Sequence, residues 1–309
     1  MAGNSLYFGR YYKLTLGDDT YVTEPGKPAM DIKFDVTYAR GSTARDGTVS
    51  ILGLSHQAIN KFISLAAKCR GDAMSQMIPV RLEAGYFSAA GIVEIFDGFA
   101  YYATITSPPN MWLNIKVSEV NPLGNKVVKL DDLAPTNLLD LCNKVLSEFS
   151  RAEGLEFEVV DKTFGQILAK EESKRIHFGE CTLSDAVRKL NSEASENVLF
   201  ILRTHCGVGQ RILEAVDKKP ERAYDGANDV LVDAQNGLLS VSGLDAVSGC
   251  VTTFLDGRYP DEMNHLVLRS ELNPQGNGRY YIIKKQYVGH FMGQEWYTRY
   301  FCSAREDEG

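Results

Sequence analysis

The pair His205–Cys206, in RTHCGVGQR, sets an imidazole beside a thiol, the two groups from which thiol nucleophiles and metal sites are built. No second close Cys/His pair accompanies it, and the neighbouring glycines read as turn formers, so the pair is expected to be structural. Cys142 and Cys181 fall in or beside helical patterns and read as small core residues. DGRYPDE (256–262) gathers three carboxylates, yet lacks the alternating oxygen ligands and the glycine of a calcium loop; an exposed loop is expected. Glu94 and Asp97 in a strand resemble half of a glycosidase site, but such carboxylates must face one another across about 5–9 Å. Strict alternation along a strand puts positions 94 and 97 on opposite faces. Lys284, Lys285 and Gln286 interrupt an aromatic-rich strand, where two lysines are thin evidence for nucleic-acid stacking. Protection of a sheet edge, or a subunit contact, is the expected role.

No phosphate-binding G-x-x-x-x-G-K-[ST] loop, H-E-x-x-H zinc helix or G-x-S-x-G elbow occurs. No residue is therefore assigned to catalysis, to a cofactor or to a metal.

The elements that must carry these residues are mostly strands. In the first 122 residues, YYKLTL, IKFDVTYA, GTVSIL, VRLEAGY, GIVEIFDGFAYYATI and MWLNIKV are β-rich, and TEPGKP and ARGSTARDG punctuate them. One helix is expected in SHQAINKFISLAAKC, capped by Ser55, with Ile59, Phe62, Ile63 and Ala66 on one face. From 123 to 222 the pattern becomes that of a small α/β unit. Its first helix carries Leu138, Leu139, Cys142, Val145, Leu146 and Phe149 on one side, with Thr136 or Asn137 to cap its start and Gly154 its end. A second helix is opened by Thr182, with Asp185 three residues on. LEFEVV and NVLFILR are strands. From 223 to 309 helix signals vanish and strands resume, ending in a charged tail.

The two β regions echo one another. VRLEAGY, a small-residue loop, the long IVEIFDGFAYYATI, the turn TSPPN and MWLNIKV run in the same order as HLVLRSEL, NPQGNG, RYYIIKKQYVGH, FMGQE and WYTRYF. Each meander has a tryptophan, Trp112 or Trp296, just past its last turn, expected to anchor that region's core. Either both are the same kind of antiparallel barrel or curled sheet, or the echo is only what any two meanders share. If they are equivalent, three chains present six similar modules around an axis, and such a ring can meet a sixfold partner on one side and a threefold partner on the other.

Bulk properties agree with a folded, multidomain chain. With 309 residues, 44% hydrophobic and 24% charged, two or three domains are expected. A net charge of −7 argues against affinity built on phosphate neutralisation. No apolar run approaches the roughly 18 residues needed to span a bilayer, and the opening MAGNSLYFGRYYKL has neither a signal nor a transit pattern. Six scattered cysteines without C-x-x-C spacing fit reduced thiols in a cytoplasm.

LYFGRYYKLTL, MDIKFDVTYA, GTVSILGLS, VRLEAGY with EIFDGFAYYATIT, NGLLSVSGLDAVSGCVTTFL, NHLVLRSEL and YYIIKKQYVGHFMGQEWYTRYF together resemble the baseplate hub proteins of contractile-tailed bacteriophages. The resemblance covers most of the first and last thirds. It implies a mainly β, α+β chain in which two tail-tube-like antiparallel β-barrel domains (1–122 and 223–309) flank a small α/β domain (123–222). It further implies a non-enzymatic homotrimer in the virion, made in the host cytoplasm. That ring would join the tail tube protein to the central spike among other baseplate proteins, with a channel through which DNA passes without specific binding and with no membrane contact. An added cell-wall-degrading domain, carried by some relatives, is not expected here. The alternative is a particle-associated cell-wall hydrolase or protease with its site in the middle domain.

Overall fold

A computed structural model describes residues 9–39, 44–68, 78–88, 90–119, 126–130, 133, 135–153, 156–163, 165–205, 210–217, 230–242, 248–256 and 265–306. The first region contains β1 (Arg10–Leu16), β2 (Asp19–Val22), β3 (Asp31–Ala39), β4 (Asp46–Leu52), helix α1 (His56–Lys68), β5 (Ile78–Tyr86), β6 (Ile92–Ile105) and β7 (Trp112–Ser118). Alternation decides which side of each strand is buried. Ile32, Phe34 and Val36 of β3, Val49 and Ile51 of β4, and Leu113, Ile115 and Val117 of β7 share one core, which Phe62 of α1 joins. The Ser55 hydroxyl accepts the Ala58 N–H (3.2 Å), so the expected cap is present.

The middle region adds β8 (Val128–Leu130), α2 (Leu138–Glu153), β9 (Glu156–Asp161), β10 (Gly179–Cys181), α3 (Leu183–Lys189), β11 (Val198–His205) and β12 (Gln210–Asp217). Asn137, rather than Thr136, accepts the N–H of Asp140 at the start of α2 (2.8 Å). Thr182 and Asp185 form a complete capping box on α3. β11, β12 and β9 make a separate three-stranded sheet in which β12 lies parallel to β9. The expected apolar face of α2 packs into a core with Phe200, Leu202 and Leu213.

The last region contains β13 (Val230–Asp233), β14 (Leu238–Ser242), β15 (Ser248–Phe254), β16 (His265–Arg269), β17 (Gly278–His290) and β18 (Trp296–Glu306). Its strands run in the order β14-β15-β18-β17-β16-β13, and those of the first region in the order β3-β4-β7-β6-β5-β1-β2. The shared pattern β3-β4-β7-β6-β5 and β14-β15-β18-β17-β16 extends the echo seen in sequence to five strands. Pairing within this large sheet is antiparallel except for β13 with β16. Among the described residues no ladder closes either set into a barrel. The two sets are instead joined, because β17 pairs with β3 from Lys284↔Ala39 to His290↔Lys33, and one 13-stranded sheet results.

The β17–β18 hairpin therefore serves two cores. Its lower part, with Tyr280, Ile282, Tyr300 and Cys302, packs with Val232, Val251, Leu266 and Leu268. Its upper part sends Tyr287 and Trp296 into the core of the first region. Trp296 is 2% exposed, lies edge-on to Phe34 (centroids 5.3 Å apart) and donates its indole N–H to the Gly85 carbonyl (3.1 Å). Gly289, between Phe34 and Trp296 in register, leaves the space these rings occupy, and a Cβ there would run into Phe34. The guanidinium of Arg10 donates to the carbonyls of His290 (2.9 Å), Phe291 (3.0 Å) and Gly293 (2.6 Å) and lies over the Trp296 ring. β1 and β17 are six strands apart in the order, so these contacts mean the sheet is rolled around its core.

Neither tryptophan anchors the core expected of it: Trp296 enters the core of the first region instead of its own, and Trp112 enters none. Leu113 turns inward, which leaves the Trp112 indole on the outer face, half-buried under the Lys33 ammonium (4.3 Å) and edge-on to His290. Trp296→Ala should lower the free energy of unfolding by about 3–5 kcal/mol, whereas Trp112→Ala should cost about 1 kcal/mol or less, the scale of an exposed cation–π contact. Urea denaturation of both variants measures the difference; equal losses would contradict this division.

Candidate assembly surfaces

The residues singled out for chemistry are not gathered into one site. His205 ends β11, while Cys206 lies outside the described residues, as does most of the 256–262 loop; Asp256 is buried, contrary to the expected exposed loop. Glu94 and Asp97 share a face after all. A bulge in β6 opposite Leu82–Glu83 puts both Ile95 and Phe96 in the core, so the alternation resets and both acids lie on the face of Arg81 and Glu83, where Asp97 is covered. They form no open cleft: Glu94 is tied to Arg81 (3.1 Å), which also holds Glu83, and Asp97 is buried. Burial pushes the Cys142 and Cys302 thiols up to about 12 and raises that of Cys181, the opposite of what a nucleophile needs. No group of three or more His, Cys, Asp or Glu placed to hold a metal occurs among the described residues.

Lys284–Gln286 does not protect an edge, because β17 is paired on both sides there. Lys284 lies over Phe301 (4.7 Å), Gln286 donates to Asp35 (2.7 Å), and Lys285, 3% exposed, is held between the Tyr287 and Tyr300 rings.

A second joint ties the middle region to the first. Glu119 is bound by Arg45 through the side chain (3.0 Å) and the backbone N–H (2.9 Å), and Arg203 of β11 approaches it (3.8 Å). Arg203 also faces Glu214 (3.6 Å) and covers the Tyr38 ring (4.4 Å), while Leu199 and Ile201 pack against Tyr38. Sequence reasoning missed this cluster, since residues 45, 119 and 203 form no local motif; the one available signal was an arginine in the otherwise apolar NVLFILR.

What remains open to partners is sheet surface. On the outer face of β6, β7, β4, β3 and the upper hairpin, the cations Lys33, Lys116, Lys284 and Arg299 each lie over an aromatic ring. The cross-strand pairs Tyr102↔Lys116 and Lys284↔Phe301 occupy corresponding places in the two strand sets, with ring and cation exchanged. Among the described residues β14 forms a ladder with β15, and Tyr102–Ile105 of β6 forms one with β7. These strands carry exposed apolar side chains: Tyr102 (39% exposed), Ile105 (38%) and Leu239 (44%). No helix among the described residues is long and apolar enough to cross a membrane.

The profile of the family described as "Baseplate hub gp41" matches residues 14–173, just over half of the chain. The chain belongs to this family. No curated protein sequence matches it. Among solved structures, this hub-family chain is similar to a tail protein from Neisseria meningitidis MC58, at 9% identity and TM-score 0.58 with 97% of each chain covered. It is similar also to the 43 kDa tail protein of prophage MuSo2 from Shewanella oneidensis (10%, TM-score 0.58, covering 96% of this chain and 97% of that one). A third is the E. coli c3393 protein, a type VI secretion component described as structurally similar to the T4 tail proteins gp27 and gp5 (8%, TM-score 0.56, covering 96% and 77%). At such identities the likeness is one of fold: mainly β, antiparallel, tail-protein-like. Family membership and fold together give the chain a structural role in the tail baseplate.

Two measurements test the buried groups. Glu119→Ala leaves Arg45 without its buried carboxylate and should cost about 3–5 kcal/mol in chemical denaturation. Iodoacetamide at pH 8 should leave Cys142 and Cys302 unlabelled in the native protein and label them in urea; rapid native labelling of Cys142 would restore it as a candidate nucleophile.

Proposed function

We propose that the chain is the hub of a contractile phage tail baseplate: a homotrimeric, pseudo-sixfold ring that joins the tail tube to the central spike. Residues 1–122 and 223–309 act as two tube-like units around the axis, with the 123–222 unit at their side. The repeated strand order carries this reading. A tail tube built of sixfold rings needs six similar docking surfaces, and a chain with two equivalent units supplies six from three copies. A spike of three chains meets the same ring through its true threefold symmetry.

The comparisons support this reading through the family match and through fold neighbours named as tail and secretion proteins. The acidic balance of the chain suits an axial hole through which DNA slides, since an anionic wall repels phosphate. The proposed role is geometric and without catalysis, in keeping with thiols raised out of the reactive range and acids tied into ion pairs. Light scattering of purified protein at increasing concentration is the direct test. A mass of three chains, with a central hole in particle images, is expected; a stable dimer, or tails that assemble a complete baseplate without this chain, would overturn the proposal. On a peptidoglycan zymogram the protein should leave no clearing.

A further inference from the structure

A small apolar crevice opens in the first strand set between α1 and the β1–β2 hairpin. Leu16, Phe62 and Leu113, all buried, form its floor, and the half-buried Tyr21, Leu54 and Ala58 lie nearer solvent. Its charged residues are Asp18, Asp19 and Lys61. Lys61 is bound to Asp19 (2.8 Å), so the exposed Asp18 gives the rim a net negative charge. Both sides of the crevice are peculiar to this strand set. β4 and β5 are joined by residues 53–77, which contain α1, whereas the corresponding β15 and β16 are joined by ten residues (255–264). Ten residues cannot hold a helix of 13. The other side differs as well: β1 pairs antiparallel with β5 and turns back into β2, while β13 lies parallel to β16. The crevice is thus built, among the described residues, from elements that the second set does not share, and it occurs once per chain.

We infer that this crevice docks a threefold partner, taking from each of its chains one apolar side chain that has a Lys or Arg beside it. The inference rests on the hub reading and names the chemistry of one contact within it. A sixfold partner meets six places alike, so it binds through features that both strand sets share. A crevice present once per chain is offered three times around the axis. It matches a partner of three chains, which on the hub reading is the central spike. The apolar floor takes an anchoring side chain out of water, and a few such anchors carry most of the energy of a protein–protein contact. Charge selects what stands beside the anchor. Asp19 is already bound to Lys61, and Asp18 carries the charge offered to the partner, so a cation is attracted there and an acid repelled.

Two variants of the full chain test the site against the purified spike and tube proteins of the same tail. Ala58→Arg puts a long side chain into the crevice from a helix position that suits arginine. Asp18→Lys reverses the rim charge at an exposed turn residue. Each should weaken spike binding at least about tenfold in biolayer interferometry, the loss expected of a central contact. Tube binding and the mass of the assembly should stay as in the unaltered chain. Asp18→Lys should also flatten the salt dependence of spike binding. Unchanged spike affinity in both variants, with unaltered far-UV circular dichroism, would overturn the crevice as the docking site and leave the hub reading standing. Loss of tube binding in place of spike binding would overturn its assignment to the threefold partner. The hub reading itself falls, and this inference with it, if tails lacking the chain still carry a complete baseplate.

Discussion

The fold depends on how Trp296 is seated. Its ring enters the core of the first region from the far end of the chain, meets Phe34 across the gap left by Gly289 and hydrogen-bonds to Gly85, while Arg10 grips the turn beside it. Burying an aromatic of this size is among the largest single contributions a side chain makes. Here it also spans more than two hundred residues of sequence. The hairpin that carries it cannot leave the first core without leaving the last one too, since Tyr280, Ile282 and Tyr300 hold its other end. The first and last regions are therefore held together as one packed body.

The repeated strand order explains much of the rest. Two strand sets of the same order are joined edge to edge through β3 and β17. The side chains of the two sets differ while the strand order is shared. The cation and ring exchanged between Tyr102–Lys116 and Lys284–Phe301 keep the same contact, whereas the two tryptophans are not equivalent in register, since matching Lys116 with Phe301 matches Trp112 with Tyr297. The middle unit, with its own sheet and helices, is fastened by charge as well as packing. Glu119 pairs its charge with Arg45, and Arg203 approaches it, in a place where a lone charge would be costly.

Local pattern made the elements legible wherever a residue's environment follows from its neighbours in sequence. The apolar face of α2, the Ser55 cap and the Thr182–Asp185 capping box are properties of one helix turn or one helix side. The meander order was legible for the same reason, since long strands and their turns are local. Three readings failed where a distant strand intervened. Glu94 and Asp97 share a face because β6 bulges against β5. Lys284–Gln286 protects no edge because β3 and β18 flank β17. Trp112 points outward because the alternation of β7 is set by Leu113, Ile115 and Val117 facing the core.

The sequence by itself determined that the chain is β-rich at both ends with an α/β unit between, that its ends repeat an order of elements, and that it resembles hub proteins. Those features are written in periodicity, caps and turns, which act over a few residues. Only the tertiary structure decided that the two ends form one sheet and that one hairpin completes both cores. Strand pairing is made by backbone groups that every residue possesses, so which strand meets which is settled by the packing of cores and not by any residue type that could be read in advance.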